Sequence, residues 1–319
     1  VVIVGGGLIG ASIAWRLAQR GARVEVVEAG KFGNEASRAG AGMLAPGGEM
    51  ENESVWARRA VASLAMYPAF VEELTAATGV EIDFRLCGAQ EWPESPDGWD
   101  ALRQRAERQV ALGIRSYFDG DCLRYPDDAI VRPKDVLAAL RAALEALGVT
   151  LREFTRVARV EPRRVWVGEE VRECGTVVLA AGAWSSELMP AAPRAFPVKG
   201  HLIGYHVEPG LVGPIQRRGH HYVLQRNSGF LIAGTTSEHV GFDRSINPAT
   251  VAEIHRQTKA LWPQLPDAPD TAWIGFRPGV EGEPRVEPWS DGLWLAYGHY
   301  RNGILLAPVT AQIVADALA

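Results

Sequence analysis

Cysteine is scarce in this chain. Cys87, Cys122 and Cys174 are the only three among 319 residues, they stand far apart, and no two form a Cys-x-x-Cys pair. A disulfide framework needs an even, organised set and a zinc site needs clustered ligands, so neither is expected, and a reducing cytoplasm is the expected location. The seven histidines lack metal spacing as well; His220 and His221 are neighbours that point to opposite sides of a strand. Basic charge is not in excess: 33 Lys and Arg against 38 Asp and Glu leave a formal charge of −5. Nothing then displaces counterions from a nucleic-acid backbone, and a nucleic-acid partner is not expected. Local pairs such as Arg58-Arg59 and Arg217-Arg218 read as solvated faces. Long apolar runs are missing too, since stretches such as Thr176 to Trp184 fall far short of the ~20 residues that span a bilayer. No solenoid-length repeat or low-complexity tract occurs. The chain opens inside a strand without an initiator Met, which leaves upstream residues open.

What is present begins at residue 1. Val1-Val2-Ile3-Val4 is a β-branched apolar run of the kind buried on both faces of a parallel sheet. Glycines follow at once, Gly5-x-Gly7-x-x-Gly10, and from Leu8 the apolar residues return at helical spacing through Leu17. In that order the glycines have separate physical tasks: Gly5 permits the tight turn, Gly7 a close backbone approach to pyrophosphate, Gly10 the packing of helix on strand. The helix N-terminus with Leu8 and Ile9 then favours an anion. Arg23 to Glu28 reads as a second strand ending in an acid. Glu28 lies near the spacing of ~20 expected for the residue that holds ribose hydroxyls. An acid there repels a 2′-phosphate, so the ligand is FAD or NAD rather than NADP, and the fingerprint alone does not separate those two.

Further along, Glu35 to Pro46 is rich in small residues, which suits either backbone laid against a flat ligand or a plain helix start and turn. Two helices are expected at Ser54 to Met66 and Pro68 to Thr78, divided by Pro68. Asp121 to Pro126 reads as a turn, and Pro133 opens an amphipathic helix closed by Gly148. The apolar strand Thr176 to Ala180 runs straight into Ala181-Gly182-Ala183-Trp184. Alternating strands at Phe196 to Val207, His221 to Ala233 and Thr271 to Arg277, the last interrupted by Pro278-Gly279, lack intervening helices and predict an antiparallel block. Leu293 to Tyr297, a glycine-bounded turn and a helix from Ile304 repeat the logic of the start.

Taken together, five stretches resemble the D-amino-acid oxidase family of FAD enzymes, most closely its glycine oxidase branch: Gly5 to Glu28, Ser37 to Leu44, Val178 to Ser185, Gly275-Phe276-Arg277-Pro278-Gly279, and the specific terminal motif Gly298-His299-Tyr300-Arg301-Asn302-Gly303-Ile304-Leu305-Leu306-Ala307-Pro308. The resemblance implies an α/β fold: a Rossmann-like FAD-binding domain (1–79, 130–194 and 285–319) and a discontinuous antiparallel-sheet substrate domain (80–129 and 195–284). It implies non-covalent FAD, because relatives with covalent flavin use a cysteine near the terminal turn and none follows Cys174. Ser37, Arg38, Ala39, Ala41, Gly42 and Met43 would lie along the flavin, Val157 near the adenine, and Ala181, Gly182 and Trp184 against the cofactor. The turn from Gly298 through His299, Tyr300, Arg301, Asn302, Gly303 and Ile304 to Leu305 would face the isoalloxazine ring.

The activity so implied is oxidative deamination of glycine, small D-amino acids or sarcosine-like secondary amines. A hydride passes from the α-carbon to flavin N5, oxygen becomes hydrogen peroxide, and the imine can feed thiamine thiazole synthesis. A guanidinium binds a carboxylate through two parallel hydrogen bonds, which makes Arg277 the candidate clamp, with a structural Arg at a sheet edge as the plain alternative. Tyr222 is the second candidate contact, or equally a half-buried sheet aromatic. Arg301 is placed near the substrate entrance or flavin edge. No residue is assigned as acid or base, since the lone pair of a neutral amine can assist hydride departure. Two departures from the family pattern stand out: Ser237 replaces a methionine after Gly234-Thr235-Thr236, and Val280-Glu281-Gly282-Glu283 replaces an Asp-Gly before Pro284. A dehydrogenase of the same fold using a quinone, or a catalytically silent flavin binder, are the rivals; an NAD enzyme fits less well, and the oligomeric state is open.

Overall fold

The computed structural model describes residues 1–318. Its six-stranded sheet runs in the order Arg285–Ser290, Leu293–Tyr297, Val177–Leu179, Val2–Val4, Glu25–Val27, Thr150–Arg152. All neighbours are parallel except the Arg285–Ser290 edge, which pairs antiparallel with Leu293–Tyr297. Val2, Ile3 and Val4 are buried, as are Val177, Val178 and Leu179, because layers cover both faces. On one face the helices Leu8–Gln19, Val55–Thr78, Pro133–Ala146 and Gly303–Leu318 share an apolar core with the sheet. On the other, residues of the antiparallel meander Val157–Glu161, Arg164–Val167, Glu170–Glu173 pack with Val2, Val4, Leu179 and Leu295. Four adjacent parallel strands therefore end on one edge of the sheet at Val4, Val27, Leu179 and Tyr297, the edge where ligands bind in open α/β sheets.

The second large sheet has eight strands: Thr271–Val280, Ala195–His206, Phe230–Gly234, His221–Gln225, Ile215–Arg218, Ala89–Trp92, Cys122–Tyr125 and Tyr117–Asp119. It is antiparallel apart from the pairing of Ile215–Arg218 with Ala89–Trp92, which is parallel and qualifies the expected all-antiparallel block. A three-stranded sheet of Met43–Leu44, Ala129–Val131 and Phe84–Leu86 joins the two regions.

Three sequence expectations need correction. Pro68 does not divide two helices: Val55–Thr78 is continuous, capped by the Ser54 side chain accepting from Ala57 N (3.1 Å) and closed by Gly79 at φ 70°. Packing outweighs the lost amide, for Tyr67 and Phe70 are buried, the Tyr67 hydroxyl donates to Ile304 O, and Ser63 Oγ donates to Leu305 O at 2.6 Å. Strand Thr271–Val280 runs through Pro278, which an edge strand tolerates because it pairs only with Ala195–His206. Cys122–Tyr125 is a strand; the turn sits one step earlier, at Gly120 (φ 62°). Among the described residues no helix is long and apolar enough to cross a membrane.

Candidate active site

The glycine turn after Val4 is built by close contact. Gly5 stands at φ 109°, and a Cβ there would fall 2.4 Å from Ala180 O. A Cβ on Gly10 would fall 2.0 Å from Gly5 O, so only glycine lets the helix sit this near the turn. Gly7 caps the helix in extended conformation, and Ser37 Oγ accepts from Leu8 N at 2.9 Å. Glu28 lies just beyond its strand and braces the same turn, accepting from Gly6 N and Gly30 N, both at 2.8 Å. Each carboxylate oxygen keeps a further lone pair for a hydroxyl.

From that turn one cleft of about 420 Å³ extends across the edge of the sheet. Gly5, Gly7, Leu8, Ile9 and Glu28 line it, as do Ser37, Ala39, Ala41, Gly42 and Met43, Val157, Ala181, Gly182 and Trp184, and His299 to Ile304. The terminal helix Gly303–Leu318 thus brings its N-terminus to the cleft, as does Leu8–Gln19, which packs against it in the same core. Four expected cofactor residues do not line it. Gly10 and Leu305 are buried in the packing behind, and Gly298 (φ 86°) makes the turn against Val280. Arg38 is exposed, because the short helix Ala36–Ala39 turns its side chain outward.

Arg277 lines the same cleft. Its guanidinium donates to Thr236 O (2.8 Å) and Thr235 Oγ1 (2.7 Å), and no carboxylate comes within 4 Å among the described residues. Two donors are thereby used and the rest of the fork is free. Burial holds its pKa below the ordinary arginine value, with Tyr222 opposing the shift and Arg301 adding to it. Tyr222 is buried on His221–Gln225, and burial pushes its phenol upward while Arg277 and Arg301 counter. His221, its neighbour, turns to the opposite side toward Thr258 Oγ1 (3.2 Å), as strand alternation requires. Arg301 is already engaged: Nε reaches Glu49 Oε2 at 3.1 Å and an Nη reaches Oε1 at 3.0 Å. Ser237 is exposed and outside the lining; Thr235 occupies the wall that the sequence assigned to it. His299 is buried, bonded through Nε2 to Thr310 Oγ1 (3.0 Å), and burial lowers its pKa to about 3, so it is neutral at working pH.

Residues 1–317 match the model of the family described as FAD dependent oxidoreductase. The chain belongs to this family. Its cofactor is FAD, and the geometry fits one: two helix N-termini, a glycine turn with no room for side chains, and a carboxylate with spare acceptors all face one cleft. When bound, FAD supplies a two-electron acceptor. This FAD-dependent oxidoreductase is 33% identical over 344 residues to the glycine oxidase of Pseudomonas putida, covering all of this chain and 94% of that one. It is 34% identical over 338 residues to the bifunctional protein ThiO/ThiG of Synechocystis sp., covering all of this chain but only 51% of the relative, so it spans about half that protein's length. Among solved structures, the glycine oxidase of Geobacillus kaustophilus superposes with a TM-score of 0.92 at 30% identity, covering 99% of this chain and 93% of that one.

Sequence reasoning missed three contributors to the oxidoreductase's cleft. Glu49 sits in a glycine-rich turn that carried no pattern, Thr235 was passed over for Ser237, and Gly200 lies unremarked within a strand. A glycine inside an otherwise alternating strand was the available signal for close approach.

Proposed function

We propose that the protein oxidises glycine and small D-amino acids, or sarcosine-like secondary amines, with oxygen as acceptor and hydrogen peroxide as product. The observation that carries this reading is Arg277, a half-buried cation without an acidic partner among the described residues, in the cleft that fits FAD. A substrate carboxylate is the natural counter-charge, and a planar fork fixes its orientation as well as its position. The relatives named glycine oxidase support the same reading.

In this account Arg277 binds the carboxylate and Tyr222 donates a second hydrogen bond to it. With the carboxylate fixed, the α C–H is oriented, which supplies much of the rate. The amine binds neutral, its lone pair assists loss of the α-hydrogen with its electrons, and water hydrolyses the released imine. No side chain in the cleft is needed as acid or base, and neutral His299 is consistent with that. Gly5, Gly7, Leu8 and Ile9 hold pyrophosphate, Glu28 the ribose, Val157 the adenine end, and Ser37, Ala39 and Ala41 to Met43 with Gly182, Trp184 and His299 to Ile304 the ring system. Gly10, Gly298 and Leu305 shape this cradle from behind, while exposed Arg38 and Ser237 take no part.

The proposal extends to a division into a cofactor domain (1–79, 130–194, 285–319) and a substrate domain (80–129, 195–284), in a cytoplasmic enzyme. The ThiO/ThiG relatives support a place in thiamine synthesis. A peroxide-coupled screen of amino acids of both hands, run beside dye reduction, tests the reading: peroxide matching glycine or D-alanine consumed is expected. Dye reduction without peroxide would make the protein a dehydrogenase instead.

A further inference from the structure

Four arginines line the cleft, and three of them are paired: Arg156 with Glu187, Arg244 with Glu35, and Arg301 with Glu49. Arg301 and Glu49 form a forked pair, with side chains 20% and 14% exposed. Glu49 ends the short helix Pro46–Glu49, a turn held from beneath by buried polar groups. Gln109 donates Nε2 to Gly47 O (2.8 Å) and Met50 O (2.5 Å), and its Oε1 accepts from the Tyr125 hydroxyl (3.1 Å). Asp128 accepts from Gly47 N (3.3 Å) and from an Arg217 Nη (2.7 Å). Arg217, expected on a solvated face, is buried instead and lies directly over Gly48, where a Cβ would come within 2.0 Å of the guanidinium. Glu91 and Arg105 complete the set with a 2.5 Å ion pair.

The network holds two cations and two carboxylates; Arg217 feels the Glu49 charge through space, but among the described residues only Arg301 comes within ion-pair distance of it. Buried ion pairs of this kind seldom repay their desolvation, and holding one geometry is what they offer in return. The geometry held here is that of one carboxylate. With Arg156, Arg244 and Arg301 each paired, Arg277 is the cleft arginine without an acidic partner among the described residues, and a second negative charge beside Arg301 would meet the Glu49 carboxylate.

We propose that Glu49 is a specificity residue that restricts the cleft to ligands with one carboxylate, and that the buried network under residues 46–50 positions it. This rests on the reading of Arg277 as the carboxylate clamp. Glu49→Gln keeps the shape and removes the charge, which frees Arg301 to take a second anionic group.

The test uses the flavin-loaded protein and needs no turnover. Dissociation constants of malonate and of succinate, each against its monoamide, are read from perturbation of the visible flavin band. Glu49→Gln is expected to favour the dianion over its monoamide by about tenfold or more relative to wild type in at least one pair. Gln109→Ala, which loosens the turn and keeps the Glu49 charge but not its fixed position, is expected to shift the same ratio in the same direction by less, and to add nothing in the Glu49→Gln background. Unchanged ratios in both pairs for Glu49→Gln overturn the specificity role. A shift for Glu49→Gln with none for Gln109→Ala overturns the positioning role of the network. Failure of wild type to bind any of the monoanions would instead strike at the clamp itself.

Discussion

The Arg277 guanidinium occupies the space that a side chain on Gly200 would fill. A Cβ built on Gly200 lies 2.4 to 2.7 Å from the guanidinium atoms, and the two residues sit diagonally on adjacent strands of the eight-stranded sheet, Gly200 opposite Gly275 and Arg277 opposite Val198. Gly200→Ala should therefore push the fork off its seat on Thr235 and Thr236 without disturbing backbone. The expected outcome is a KM for glycine raised roughly tenfold, about 1.4 kcal/mol, with little change in melting temperature. Steady-state kinetics beside a thermal scan checks it.

Arg277→Ala should cost more. Losing charge-assisted hydrogen bonds worth about 3 kcal/mol raises KM roughly 100-fold, while the protein stays yellow because the flavin is held elsewhere. Arg277→Lys is expected to fall between, since an ammonium cannot present two parallel donors. Equal kinetics in all three proteins would remove the clamp.

Gly10→Ala addresses the cofactor end. Its Cβ would stand 2.0 Å from Gly5 O, a backbone atom that cannot step aside, so the turn itself must shift. Purified variant protein is expected to carry less flavin per chain and to melt at lower temperature, both measured from the absorbance spectrum and a thermal scan. Full flavin occupancy would show that this turn does not grip the pyrophosphate.

Much of this was legible in the residues because local signals and the fold agree. The strand, glycine turn and helix from Val2 to Gln19 need only each other, and the terminal Leu293 to Leu318 repeats them. What stayed hidden depends on contacts remote in sequence. Pro68 reads as a break until the carbonyls of Ile304 and Leu305 are seen to hold its helix, and Glu49 means nothing until Arg301 meets it from 252 residues away. Arg217-Arg218 looked like a solvated pair because burial of a charge is visible only through its partners, here Asp128 and Glu91.

Acid stability offers an independent check on the buried end of the cleft. His299, whose pKa burial lowers from 6.5 to about 3, must stay neutral in the fold, while the unfolded chain binds a proton at this residue near pH 6.5. Its contribution is therefore complete above pH 6.5 and lost as pH falls toward 3, amounting to roughly 3 kcal/mol by pH 4. Melting temperatures of wild type and His299→Gln should converge as pH drops from 7 to 4; parallel curves would mean that the ring is protonated in place without penalty.

The central claim is that an amino acid anchored by Arg277 loses two electrons to FAD held in the same cleft. Anaerobic addition of glycine or D-alanine to the purified yellow protein measures it directly. The flavin band near the visible maximum is expected to bleach and to return on admitting oxygen, with one peroxide formed per flavin. A band that stays unbleached by every small amino acid of either hand would contradict the account.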